Sequence, residues 1–219
     1  MTAGLIMKTI YNKIDKKEIG ALPRVLFEGR IITVLTEGEA QKAVDYLRTF
    51  PMLGIDTETR PSFKKGKTNK VALLQVATED TCFLFRLNCI GVTEALKTLL
   101  EDTNVYKIGL SLKDDVMMLR KRANFTPGNF VDLQDIVKKV GIEDQSLQKI
   151  YANLFGAKIS KGQQLTNWEA DVLTDSQKLY AATDAWACIR IYNELKSMVA
   201  NHDYQIVVRT ENNVTNHTI

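Results

Sequence analysis

Residues 52–58 read Met-Leu-Gly-Ile-Asp-Thr-Glu, a short apolar run that ends in two acids one residue apart. An apolar run of this length, following a segment with helical spacing, predicts a buried strand. Side chains two apart on a strand share a face, so Asp56 and Glu58 project together from it. Adjacent carboxylates repel and raise each other's pKa unless a cation lies between them. Hard oxygen ligands suit Mg²⁺ and Mn²⁺. Taken alone, an Asp-x-Glu pair is more often two solvated acids at a strand end.

Working outward, Arg30–Thr36 is β-branched and predicts a strand. Glu37–Phe50 predicts a helix, with Ala40, Ala43, Val44 and Leu47 at helical spacing. Val71–Ala77 and Thr81–Leu87 predict a hairpin about the Glu79-Asp80 turn. Beyond it come a helix over 92–101, a strand over 105–112, and helices over 113–123, 131–140 and 147–155. A polar loop over 157–167 precedes a long helix over 175–198. Thr174 and Gln177 have the spacing of a capping box at its start. A strand meander followed by alternating strands and helices favours a mixed α/β sheet with helices on its faces. The charged segment 1–27 is expected to be a surface arm. Residues 28–200 form the domain, and the Asn- and Thr-rich segment 201–219 is expected to be a frayed tail.

Two more stretches carry acids. In Leu179-Tyr180-Ala181-Ala182-Thr183-Asp184, Tyr180 and Asp184 stack on one helical face. Asp has poor propensity mid-helix and needs a reason to be there. Lys113-Asp114-Asp115 opens the helix after the 105–112 strand. One of the two acids is accounted for as a cap at the positive end of the helix dipole, leaving the other free to turn toward the sheet edge. Four carboxylates suit phosphodiester cleavage, where paired cations offset the charge of both protein and phosphate and acidify a water. The Tyr180 phenol is placed to orient that water.

Together these segments resemble the DEDD 3′→5′ exonucleases, in the subgroup whose third motif carries tyrosine. Asp56 and Glu58 match the first motif. Asp115, in KIGLSLKDDVMML, matches the second better than Asp114. Tyr180 and Asp184 match the third. The stretches GKTNKVALLQVATEDTCFLF, KIGLSLKDD, LTNW and LTDSQKLYAATDA are most similar to Werner-type exonuclease domains, over about residues 50–196. Lys113-Asp114 is a departure, since those domains carry Glu-Gly there. The resemblance implies a ribonuclease H-like fold with a five-stranded sheet. It also implies two divalent ions, Mg²⁺ or Mn²⁺, held by Asp56, Glu58, Asp115 and Asp184. The implied activity is release of nucleoside 5′-monophosphates from a nucleic-acid 3′ end. By analogy, the Thr57 backbone lies near the terminal nucleotide.

The basic loop carrying Lys64, Lys65, Lys67 and Lys70 is a candidate for phosphate contact, as is Lys161 in the 157–167 loop. Trp168 is either a base-stacking residue or a half-buried anchor of its loop. DNA is the expected substrate. The ribonuclease D branch, which acts on RNA, is expected to carry a helical domain after the catalytic one, and the expectation for this protein is that it lacks that domain. The remaining alternative is a non-catalytic nucleic-acid-binding module, which is expected to have lost an acid or the tyrosine.

A net charge of +3 and pI of about 8.6 argue against binding by bulk charge, so local patches or cations must serve. Gly66-Lys67-Thr68 imitates the end of a P-loop, but Pro61 stands where its first glycine belongs, which excludes triphosphate hydrolysis by that motif. Cys82, Cys89 and Cys188 lack CxxC spacing. No signal peptide or membrane span is apparent, so a cytoplasmic location is expected.

Overall fold

The computed structural model describes residues 7–64, 66 and 68–210. In chain order the elements are β1 (Lys8–Tyr11), α1 (Lys16–Ala21), β2 (Arg30–Val34), α2 (Glu37–Leu47), β3 (Met52–Thr59), β4 (Val71–Ala77) and β5 (Thr81–Arg86). Then follow α3 (Leu87–Ile90), α4 (Glu94–Glu101), β6 (Tyr106–Gly109), α5 (Leu112–Arg120), β7 (Phe130–Asp132) and α6 (Leu133–Lys139). The chain closes with α7 (Leu147–Phe155), α8 (Asp175–Asn201) and β8 (Tyr204–Val207).

The main sheet has the order β2-β5-β4-β3-β6-β7. The β3-β4-β5 meander is antiparallel, while β2, β6 and β7 join in parallel. The mixed sheet flanked by helices is as expected, but it has six strands rather than five. The sixth, β7, comprises three residues at the edge, where a helix was expected from Val131 onward. Its pairing partner β6 supplies the ladder that so short a segment cannot specify by its own pattern.

One face of the sheet packs on α6, α7 and α8, through Leu133, Val137, Ile150, Leu154, Ala181, Ala185 and Ile189. The other packs on α2, α4 and α5, through Ala40, Val44, Leu96, Leu99 and Leu119. The expected capping box of α8 is present. Gln177 N–H donates to the Thr174 hydroxyl at 3.2 Å, and Thr174 N–H donates to Gln177 Oε1 at 3.0 Å.

Closeness of α8 to β3 depends on Gly54. A Cβ built there would lie 2.0 Å from the carbonyl oxygen of Ala185, the residue after Asp184. Replacing Gly54 by Ala must push helix and strand apart, at a cost of roughly 1–3 kcal/mol or more. Gly38→Ala, in α2 with open space around it, is expected to gain roughly 0.5–1 kcal/mol instead. Urea unfolding of both variants measures the contrast, and equal stability would show that the backbones are not in contact at Gly54.

Two expectations about the ends are corrected. Residues 8–27 are not a surface arm: β1 pairs in parallel with β8, and Ile10, Ile14, Ile19 and Phe27 are buried, while residues 1–6 lie outside those described. Asn153 Oδ1 accepts from Tyr11 N–H at 3.0 Å, and Asp144 accepts from Ile14 N–H at 2.7 Å. Nor is the tail frayed over 204–207, which form β8; residues 211–219 lie outside those described. A two-stranded ribbon whose halves are almost the whole chain apart leaves no local turn signal, so it is invisible to a window of sequence. Among the described residues no helix is long and apolar enough to cross a membrane.

Candidate metal centre

Of β3, strand β6 pairs with Met52–Gly54 alone among the described residues. Beyond that point β3 continues alone on this side, so Asp56 and Glu58 stand in a crevice past the carboxyl end of β6. The gap is bordered by the Leu110–Ser111 loop and by α8. Crevices outside the carboxyl ends of strands are where α/β sheets place their sites. Alternation sends Asp56 and Glu58 toward α8, which brings Asp184 to meet them. One carboxylate oxygen from each of Asp56, Glu58 and Asp184 lies within 4.8 Å of the other two.

Asp115 approaches along the same edge from the first turn of α5. It is fixed by a hydrogen bond from the Thr57 hydroxyl, on the residue between the first two acids. Asp114, its neighbour, is exposed. Neither acid caps α5. Asp132, at the end of β7, accepts from Ser111 N–H at 3.1 Å and Leu112 N–H at 2.8 Å, and also from Gln134 N–H at 2.9 Å. That one carboxylate starts both α5 and α6. It leaves Asp115 free to accept from Thr57, just outside the group formed by Asp56, Glu58 and Asp184, while Ser111 adopts the left-handed region (φ 58°) at the bend.

Burial and mutual repulsion push these acids upward. Desolvation, then the charges of Asp115 and Asp184, raise Asp56 well above the usual carboxylate range. Glu58 is raised to about 10 by burial and by Asp56, Asp184 and Asp115. Burial raises Asp184 to about 7, against the opposing influence of a hydrogen bond from Tyr180 and the charge of Lys161. Asp115 rises to about 6 through burial, partly offset by the Thr57 bond. The Tyr180 phenol, buried beside these charges, is pushed far up and stays protonated.

Asp184 Oδ1 is buried without a hydrogen-bond partner. An orphaned carboxylate oxygen beside two other carboxylates is costly unless a cation meets it. The residues present therefore fit divalent metal: oxygen donors only, converging, and held by backbone elements rather than loops.

The surrounding cleft has a volume of about 360 Å³. Its far wall is the start of α7, with Ser146, Leu147 and Gln148, and the loop carrying Ile159, Ser160, Lys161 and Gln164. Gln148 ties the two together by donating to Ile159 O at 2.6 Å. None of these except Lys161 was singled out from sequence, because nothing in a polar loop or helix start marks it as facing a site 90 residues upstream. Gln75 was also missed. It is fully buried on β4 directly across from Asp56, on the same face, and both ends of its amide are unpaired.

Of the expected substrate contacts, Thr57 and Lys161 line the cleft. Lys70 is exposed on its loop and does not line it, and Lys67 lies outside the described residues. Trp168 is corrected. It is 0% exposed, its ring centroid lying 6.0 Å from that of Tyr180, so it buttresses the tyrosine and offers no face to a base.

Residues 31–200 match the family model described as 3'-5' exonuclease. The chain belongs to that family. The exonuclease/ATP-dependent helicase WRN of Mus musculus is 33% identical over 153 residues, which are 67% of this chain and 11% of that protein. Ribonuclease D of Gluconacetobacter diazotrophicus is 27% identical over 168 residues, 75% of this chain and 42% of that enzyme. The chain thus spans a minor part of both relatives. The Nibbler EXO domain of Aedes aegypti superposes with a TM-score of 0.74 at 22% identity, covering 84% of this chain and 95% of that domain. That likeness places the family member's sheet in the ribonuclease H-like fold. The acidic crevice and the family agree on a nuclease architecture with an acidic metal-binding cluster.

Proposed function

We propose that this protein is a 3′→5′ exonuclease that hydrolyses DNA from its 3′ end with two divalent ions, Mg²⁺ or Mn²⁺. The observation that carries the reading is the convergence of Asp56, Glu58 and Asp184 within 4.8 Å, with Asp115 beside them. Asp56, Glu58 and Asp184 would hold one ion, and Asp56 with Asp115 would serve the second. Bound there, the ions supply positive charge against the phosphate and make a water more acidic.

The chain's own groups do the rest. Tyr180 stays protonated and holds the attacking water by its hydroxyl, one helical turn from Asp184. Thr57 keeps Asp115 in place. Lys161 brings a cation to the cleft opposite the acids, where the phosphate charge must be offset. Water attacks phosphorus and gives up a proton to solvent, the bond from phosphorus to the 3′ oxygen breaks, and that oxygen takes up a proton from solvent, leaving a nucleoside 5′-monophosphate and a shortened strand with a free 3′-OH.

The preference for DNA rests on likeness to the Werner-type domain. The 27% identity to a ribonuclease D supports RNA 3′-end trimming as the second reading. Incubating the protein with 5′-labelled DNA and RNA oligonucleotides, with Mg²⁺ or with excess chelator, separates these. A ladder that shortens from the 3′ end on DNA and stops with chelator is expected. A ladder on RNA alone selects the second reading, and one that persists in chelator removes the metal mechanism.

Two substitutions test individual roles. Asp115→Asn is expected to lower kcat by roughly 10²-fold or more, and Asp114→Asn by less than about twofold, since Asp114 points to solvent. The reverse ranking would show Asp114 to be the ligand. Tyr180→Phe removes only a hydroxyl and is expected to slow turnover by roughly 10–10²-fold, with Mn²⁺ affinity by calorimetry unchanged. Full activity in that variant would mean the phenol does not place the water.

A further inference from the structure

Helix α5 begins at the cleft, with Ser111 on its rim and Asp115 in its first turn. Its inner face is used up by Leu112 and Leu119 in the core. Its outer face carries three cations beside the exposed Asp114. Lys113, Arg120 and Lys121 are exposed, and no carboxylate lies within ion-pair reach of any of them among the described residues. Elsewhere Lys97 pairs with Glu94, Lys178 with Asp175, Arg48 with Asp102 and Arg60 with Glu169, though exposed lysines of α1, α2 and α6 have no ion pair either. Between these three cations, of which Lys121 donates to the Met118 sulfur at 3.4 Å, lies a groove of about 350 Å³, floored by Val116 and Met117 and closed by Asn124. Met117 is 49% exposed.

We infer that this face of α5 carries the part of a single nucleic-acid strand that leads out of the cleft, its phosphates on Lys113, Arg120 and Lys121 and its sugars or bases on Val116 and Met117. The inference rests on the exonuclease reading above and adds the route of the uncut strand. Cations beside an apolar floor complement a strand that alternates phosphates with apolar sugar and base faces. The eight residue-to-residue rises from Lys113 to Lys121, the residue that caps α5, span about 12 Å, or three to four nucleotides at about 3.4 Å each. A substrate confined to the cleft never reaches Arg120 or Lys121. An acidic peptide is the rival occupant, matching the cations without needing the apolar floor.

The test compares wild type with Lys113→Gln/Arg120→Gln/Lys121→Gln, which keeps polar side chains at exposed positions and is expected to leave the melting temperature unchanged. Binding of a fluorescent single-stranded 15-mer is measured by anisotropy in chelator, so that nothing is cut. The triple variant is expected to bind about tenfold more weakly, with a salt slope smaller by about 2, three contacts at roughly 0.7 each. Hydrolysis of a dinucleotide in Mg²⁺ is expected to match wild type, while KM for the 15-mer rises about tenfold. Equal binding of the 15-mer by both proteins overturns the inference, as does equal loss on the dinucleotide, or displacement of the 15-mer by polyglutamate at matched charge. Single Arg120→Gln and Lys121→Gln variants, each expected to lose about twofold to threefold, decide the question if the triple variant misfolds. Wild type that binds the 15-mer but cuts neither substrate would instead count against the exonuclease reading.

Discussion

Asp56→Asn is expected to lower hydrolysis by roughly 10³-fold or more while making the metal-free protein more stable. Both effects have one cause. Asp56 sits at the middle of the cluster, raised by burial and by Asp115 and Asp184, and it in turn raises Glu58. Removing its charge relieves repulsion among the buried acids, a gain on the order of 1–3 kcal/mol in the absence of cations. The same change removes a ligand shared by both proposed ions, and the charge offset on which phosphoryl chemistry depends goes with it. Activity against a labelled oligonucleotide, Mn²⁺ calorimetry and urea unfolding in chelator give the three readouts. A variant that is inactive and also unfolded would mean that Asp56 supports the fold rather than the chemistry.

The second large effect is a reversal of pH dependence by metal. An acid whose folded pKa lies above its unfolded value binds its proton more tightly in the folded state. Between the two values the folded protein therefore carries more protons than the unfolded chain, and stability falls as pH rises. Asp115 at about 6 and Asp184 at about 7 place that loss between about pH 4 and 7, and Glu58 at about 10 extends it further. The chelated protein is thus expected to lose on the order of a few kcal/mol from pH 5 to 8. Millimolar Mn²⁺ binds only the folded state, and binds better once the carboxylates are ionised, so it should restore stability most at the alkaline end. Melting curves at pH 5 and 8, with chelator and with Mn²⁺, supply the four values needed. If the chelated protein is as stable at pH 8 as at pH 5, the acids do not repel and the cluster is looser than described.

The departures from expectation share a physical origin. The capping box at Thr174 and the helical spacing of Ala40, Ala43, Val44 and Leu47 are local patterns, and each is realised as such. Trp168 is different. Its residue type suits base stacking and burial equally well, and only the packing of its loop over α8 decides between them. Asp114 and Asp115 are adjacent acids at a helix start. Which one faces the crevice depends on Asp132, from another strand, taking over the cap. The ribbon of β1 and β8 joins segments that read as an arm and a tail because each finds its partner at the other end of the chain.

What the sequence determined by itself is the set of acids, their order and the elements bearing them. A carboxylate two residues from another on a strand, or four from a tyrosine on a helix, is fixed in direction by the backbone's own period. What only the tertiary structure decided is the meeting of those elements: β3 running past the end of β6, α8 lying against Gly54, and α5 turned by Asp132. Convergence depends on contacts between residues far apart in the chain, and those are set by packing and pairing that no local pattern encodes.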